Sequence, residues 1–173
     1  MPTEETWNAL LAFMRDNAVW LEGILFILAL AESIIVASVF IPSSLIFVTV
    51  GALEGAAQGP LIPLVAAGAL GALAGDLISF ALGYRLRGHL DTTWPLRDYR
   101  EPLDTARRFF ARWGVFAIVA SKLSGPLRPI IPMLAGASTM SGATFLAASA
   151  VSSVIWAVVV LVPSYYGLQW LMQ

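Results

Sequence analysis

Ser121 to Gly136 reads SKLSGPLRPIIPMLAG and sets two cations, Lys122 and Arg128, and three prolines, Pro126, Pro129 and Pro132, inside an otherwise apolar run. A centrally placed Lys or Arg costs about 2.5 to 3.5 kcal/mol each on insertion scales, so a bilayer segment that keeps two of them requires partners, water or a function. The prolines remove backbone donors at three nearby positions. A straight helix facing lipid would strand carbonyls in hydrocarbon. The segment is therefore expected to break and turn back inside a protein-lined or watery cavity.

The bilayer is implied by composition: of 173 residues, 58% are hydrophobic and only 12% charged, and the mean hydropathy is +0.79. That is outside the range of soluble domains, and the length fits a single membrane domain over 1–173. A net charge of -1 gives no reason to expect nucleic acid as a partner. Seven of the ten Lys and Arg residues, Arg85, Arg87, Arg97, Arg100, Arg107, Arg108 and Arg112, fall between 85 and 112. The positive-inside rule makes that loop cytoplasmic. With no cysteine there is no disulfide, thiolate metal site or Cys nucleophile. No metal or cofactor is expected. His89, the one histidine, lies in the basic loop, where a solvated surface role is expected.

Residues 5 to 16, ETWNALLAFMRD, space Trp7, Leu10, Leu11 and Met14 as on a helix lying at a membrane surface. From Asn17 to Leu53 the chain is almost wholly apolar, longer than one span of about 20 residues. Glu32 interrupts it, and Pro42-Ser43-Ser44 breaks it again, which predicts a hairpin-like membrane segment. GAAQGP at 55–60 reads as a turn. Residues 61 to 84 form the cleanest span, with Gly68, Gly71 and Gly75 on a small-residue face that admits a neighbouring helix or a second copy of the chain. Asp76 follows that face, and an intramembrane carboxylate points to charge pairing or function. A helix is expected from Leu103 to Trp113, with Phe109, Phe110 and Trp113 beside Arg107, Arg108 and Arg112, suited either to anionic headgroups or to anchoring the topology. The broken cationic segment comes next. A last span runs from about Ala143 to Val162, and Tyr165, Tyr166 and Trp170 read as an interfacial aromatic belt.

This order repeats. Residues 5–84 and 103–165, separated by the loop 85–102, each read as an interfacial helix, a broken apolar segment and a full transmembrane helix. Each broken segment sets ionisable residues beside proline. The expected fold is an all-α integral membrane protein of two repeats, inverted if an odd number of crossings separates them. Glu32 would then meet Lys122 and Arg128 near the centre, where opposite charges offset part of each other's desolvation.

The residues also resemble a known family, the DedA membrane proteins, whose shared domain is often called VTT or SNARE-associated. Over roughly residues 25–160, three patterns carry the likeness. Glu32 is followed ten residues later by Pro42. Gly75-Asp76 with Phe80, Gly83 and Gly88 is similar to the family run G-D-x-x-x-Y-x-x-G-x-x-x-x-G. Lys122-Leu-Ser-Gly-Pro-Leu-Arg128, with Pro132 and Ala135-Gly136, is similar to R-F-x-P-x-x-R-x-x-x-P-x-x-A-G. The resemblance implies two re-entrant hairpins facing each other and lipid transport by flipping or scrambling. For bacterial members it implies a plasma-membrane location, with undecaprenyl phosphate or phospholipids as cargo and, in some, proton linkage. It carries the essential membrane acid to Glu32 and the second arginine to Arg128. Lys122 departs from the usual arginine, losing the planar fork suited to phosphate. Ser44 stands where many members have a second acid, and Gly125 replaces the usual proline, with Pro126 shifted by one.

The expected mechanism has Arg128 and Lys122 attracting a lipid phosphate, with Glu32 and Asp76 pairing with them when the site is empty. Pro42, Ser44, Gly125, Pro126 and Pro132 would shape the breaks, and Gly75 and Gly136 the packing. Two alternatives stand beside it. Lys122 to Arg128-Pro129 falls one residue short of the opening of a phosphatidic acid phosphatase signature, although the histidines of such enzymes are missing. A membrane assembly factor is the other.

Overall fold

The structure, a computed structural model, describes residues 18–34, 43–87, 89, 100–124 and 127–171, together with Ala12. The rest of the segment 5–16 lies outside the described residues. So do Pro42, Gly88, Gly125 and Pro126 and the side chains of Ser44 and Trp170.

Helices make up the fold, with no strand among the described residues. They are α1 (Ala18–Glu32), α2 (Ser43–Ala56), α3 (Leu61–Arg85), α4 (Arg100–Trp113), α5 (Val115–Ser121), α6 (Ile130–Ala137) and α7 (Gly142–Leu171). Two of them, α3 and α7, are long and apolar enough to cross a bilayer. Pro60 leads into α3 in extended conformation, and Arg85 in its last turn complements the helix dipole. Pro132, expected at a break, instead sits in the first turn of α6, where a missing N–H leaves no helical bond unmade. α4 is amphipathic: Leu103 and Ala106 are buried while Glu101, Asp104, Arg108 and Arg112 face outward.

α7 runs past the boundary expected at Val162, straight through Pro163. The Ser164 hydroxyl donates to the Val160 and Leu161 carbonyls, adding side-chain hydrogen bonds in the turn that holds the proline. Nor is Tyr165 a belt residue facing the interface. It is buried and its hydroxyl donates to the Gly59 carbonyl at 2.7 Å, tying α7 to the turn after α2. Tyr166 is exposed.

α1 and α6 both pack on α3, and α2 and α5 both pack on α7. The close approaches fall at glycines. A Cβ on Gly75 would run into the Leu30 carbonyl of α1. A Cβ on Gly136 of α6 would run into the Phe80 carbonyl of α3, and one on Gly83 of α3 into the Met133 carbonyl of α6.

Two apolar clusters result. Leu25, Phe47, Leu64, Trp156 and Leu161 anchor one; Leu103, Ile118, Ile131 and Phe145 anchor the other. Along α3, Ala72 belongs to the first cluster and Phe80 packs on the second, with Asp76 and Ser79 between. Along α7, Ala148 belongs to the second and Trp156 to the first, with Ser149, Ser152 and Ser153 between. A buried polar layer thus separates two apolar ones.

Candidate functional site

That layer is built at the ends and breaks of helices. α1 ends at Glu32, and Ser33 and Ile34 turn back onto the carbonyls of Ala29, Leu30 and Ala31. The Ser79 hydroxyl of α3 donates to the Ser33 carbonyl at 2.7 Å, fixing the point at which Glu32 leaves the helix. On the other side α5 stops at Ser121, and α6 resumes only at Ile130. Lys122 follows the end of α5 and Arg128 stands just before α6, so the break delivers both cations to one place.

Each cation meets an acid from the first half of the chain. Arg128 Nη1 donates to Glu32 Oε2. Lys122 Nζ lies 2.8 Å from Asp76 Oδ2, a close buried ion pair. The Ser149 hydroxyl donates to the same Asp76 oxygen. The Arg128 guanidinium also stacks on Trp156, 4.0 Å from its ring centroid. Trp156 is backed in turn by Phe47 of α2, edge on at 5.0 Å.

One feature of Arg128 sets the chemistry. Among the described residues, its Nε and Nη2 are buried without a hydrogen-bond partner. These two nitrogens form one edge of the guanidinium, the fork that binds two oxygens of a phosphate or carboxylate at once. Leaving a buried charged donor unmade is costly, about 1 to 3 kcal/mol or more per group. The arrangement leaves that edge open to an oxyanion while Glu32 occupies Nη1.

All four ionisable residues singled out in the sequence, Glu32, Asp76, Lys122 and Arg128, lie in this layer, whereas Gly75 and Gly136 lie at helix crossings. Three further polar features, only the first of them in this layer, were not singled out. The serine stripe of α7 at 149, 152 and 153 shares a face with Trp156 at helical spacing, a signal present in the sequence but easily taken for small-residue packing. Arg87, counted within the basic loop, reaches back to α6: Nε donates to the Gly136 carbonyl at 3.2 Å and Nη2 to the Ser138 carbonyl at 2.6 Å. Glu54 is buried near the end of α2, its Oε2 without a partner among the described residues. His89 is exposed, with Nδ1 3.2 Å from the Arg87 carbonyl.

Fold and site together define a helical membrane protein in which oppositely charged residues from two halves of the chain pair in a serine-lined layer. A family model for the VTT domain matches residues 41–166, and the chain belongs to that family, the DedA membrane proteins. The inner membrane protein YabI of Escherichia coli K12 is 27% identical over 144 residues, 83% of this chain and 57% of that protein. The protein DedA of the same organism is 22% identical over 156 residues, 88% of this chain and 71% of that protein. An uncharacterized membrane protein of Mycobacterium tuberculosis is 30% identical over 123 residues, 68% of this chain and 56% of that protein. The chain spans 57%, 61% and 62% of the length of the first curated relatives it matches. No solved structure matches it.

Proposed function

We propose that this protein is a lipid flippase or scramblase, carrying a phosphate-bearing lipid across a bacterial plasma membrane without altering it chemically. The cargo would be a phospholipid or a polyprenyl phosphate such as undecaprenyl phosphate. The observation that carries the reading is the unpaired Nε/Nη2 edge of Arg128, a buried two-pronged donor that fits one phosphate. Lys122 adds a second positive charge to the same layer. As the phosphate arrives its charge replaces that of Glu32, which releases Nη1. Protonation of Glu32 would favour the loaded state, giving proton linkage one route.

The packing supports an inverted-repeat reading of the fold. The first broken unit sets α1 on its own span, α3, and α2 on the other span, α7. The second sets α5 on its own span, α7, and α6 on α3. A twofold axis in the membrane plane would produce this exchange, making α1–α2 and α5–α6 two facing re-entrant hairpins with the charged layer at mid-depth. The loop 85–112 would then be cytoplasmic. With His89 exposed, the phosphatase alternative has no observation in its favour. An assembly role would leave the Arg128 edge unused.

The test is dithionite quenching of headgroup-labelled phospholipid and polyprenyl phosphate in liposomes holding purified protein. Wild type should expose the inner-leaflet label, and Arg128→Ala should slow that exposure at least about tenfold, the equivalent of one lost charged contact of about 1.4 kcal/mol. Full protection of the label by both proteins, with and without a proton gradient, would sink the reading.

A further inference from the structure

Beside the charged layer, a groove of about 330 Å³ opens between α4, α5 and α7. Its outer wall is apolar and turned outward: Trp113 is 50% exposed, Phe116 74% and Leu123 62%. Its inner end is different. Lys122 and Ser152 take part in the lining there, and so does Trp156, the ring on which Arg128 stacks. Exposed Arg112 stands over the Trp113 ring, 5.7 Å from its centroid, at the rim.

We propose that this groove seats one hydrocarbon chain of an anionic phosphate-bearing lipid, which enters sideways from the bilayer with its headgroup end toward Lys122 and Arg128. The proposal rests on the lipid-transport reading and adds where the tail goes. Charge complementarity selects the occupant and its direction. An apolar trough offers water no hydrogen-bond partners along its length, so a polar group lying in it would be stranded while a methylene chain loses nothing. Lys122 at its inner end is already matched by Asp76, but behind Trp156 lies the Arg128 guanidinium, whose Nε/Nη2 edge has no partner among the described residues and is matched by an anion. One molecule with both properties is a lipid phosphate. A volume near the low end of ligand sites fits a stretch of a single chain rather than two. With the tail seated here, the phosphate is held beside the layer that bears the free Arg128 edge, and the remaining chain stays in the bilayer.

The experiment uses phosphatidylglycerol bearing a diazirine midway along one acyl chain, mixed into the liposomes with the full-length protein, photolysed and mapped by mass spectrometry. Ile62 of α3, 82% exposed, serves as the reference for casual lipid contact. Adducts at Phe116, Leu123 and Ile155 should exceed those at Ile62 about tenfold. Ala120→Trp, which fills the groove from an exposed position on α5, should remove about tenfold of that excess and leave the Ile62 adduct unchanged. Groove labelling no greater than at Ile62 in wild type would overturn the proposal whatever the variant does. Dithionite quenching on the same vesicles separates the two readings. Transport by wild type without groove labelling overturns the groove alone, whereas neither labelling nor transport overturns both.

Discussion

Lys122 and Asp76 are closed off from their surroundings, their side chains 2% and 0% exposed, and Ser149 holds the carboxylate from a second side. Glu32, four helical turns away from the start of α1, keeps 14% of its side chain exposed, and its partner Arg128 gives it a single nitrogen. The two pairs have the same charges and lie in the same layer, yet only one can exchange partners at modest cost. Opening the Lys122 pair would bare two sealed charges, a strongly destabilising step. Opening the Arg128 pair leaves an acid at the margin and a cation still resting on Trp156 and ready to take a phosphate. On the proposed reading, the contrast separates a pair that fixes the architecture from one that exchanges its partner.

The sharpest way to break that contrast is to neutralise each acid. Asp76→Asn leaves Lys122 sealed without a counter-charge and should cost about 3 to 5 kcal/mol, read as a large fall in the melting temperature in detergent. Glu32→Gln should cost less than half as much, because its partial exposure admits water. Equal losses would mean that the two pairs do the same job. Next in size, Arg128→Lys retains the charge but removes the fork, and should slow transport of the labelled lipid about tenfold with little change in melting. Lys122→Arg should give no matching gain, since that cation is spent on Asp76. Smallest is Arg87→Ala, which removes two hydrogen bonds onto the end of α6. A loss of roughly 1 kcal/mol is expected, seen as faster amide exchange at residues 136–140 with α1 unaffected.

Hydropathy made the two long helices legible: residues 61–84 were expected and Leu61–Arg85 found. Phe109, Phe110 and Trp113 set beside Arg107, Arg108 and Arg112 likewise gave α4, short of its first turn. The end of α7 was not legible, because Pro163 is a local stop signal and a reason to continue is tertiary, the Tyr165 tie to Gly59. At the site, the four ionisable residues stood out because charge in an apolar run is rare. That the acids pair with the cations was expected too; which acid takes which cation was not, since that depends on where the break after Ser121 lets the chain go. Trp156 and the α7 serines were hidden for a plainer reason: each is ordinary in a membrane helix until a guanidinium or a carboxylate is known to lie beside it. Arg87 read as one more cation in a basic loop.

The order in which these partners leave the ribosome carries a consequence of its own. Both acids of the layer, Glu32 and Asp76, precede the basic loop, and both cations follow it. While the chain is being made, the first half must therefore wait in or beside the membrane with two carboxylates and no intended counter-ion, until Lys122 and then Arg128 are synthesised. Biogenesis of the protein is for that interval an acid-handling problem, and its final step is the neutralisation of one half of the molecule by the other.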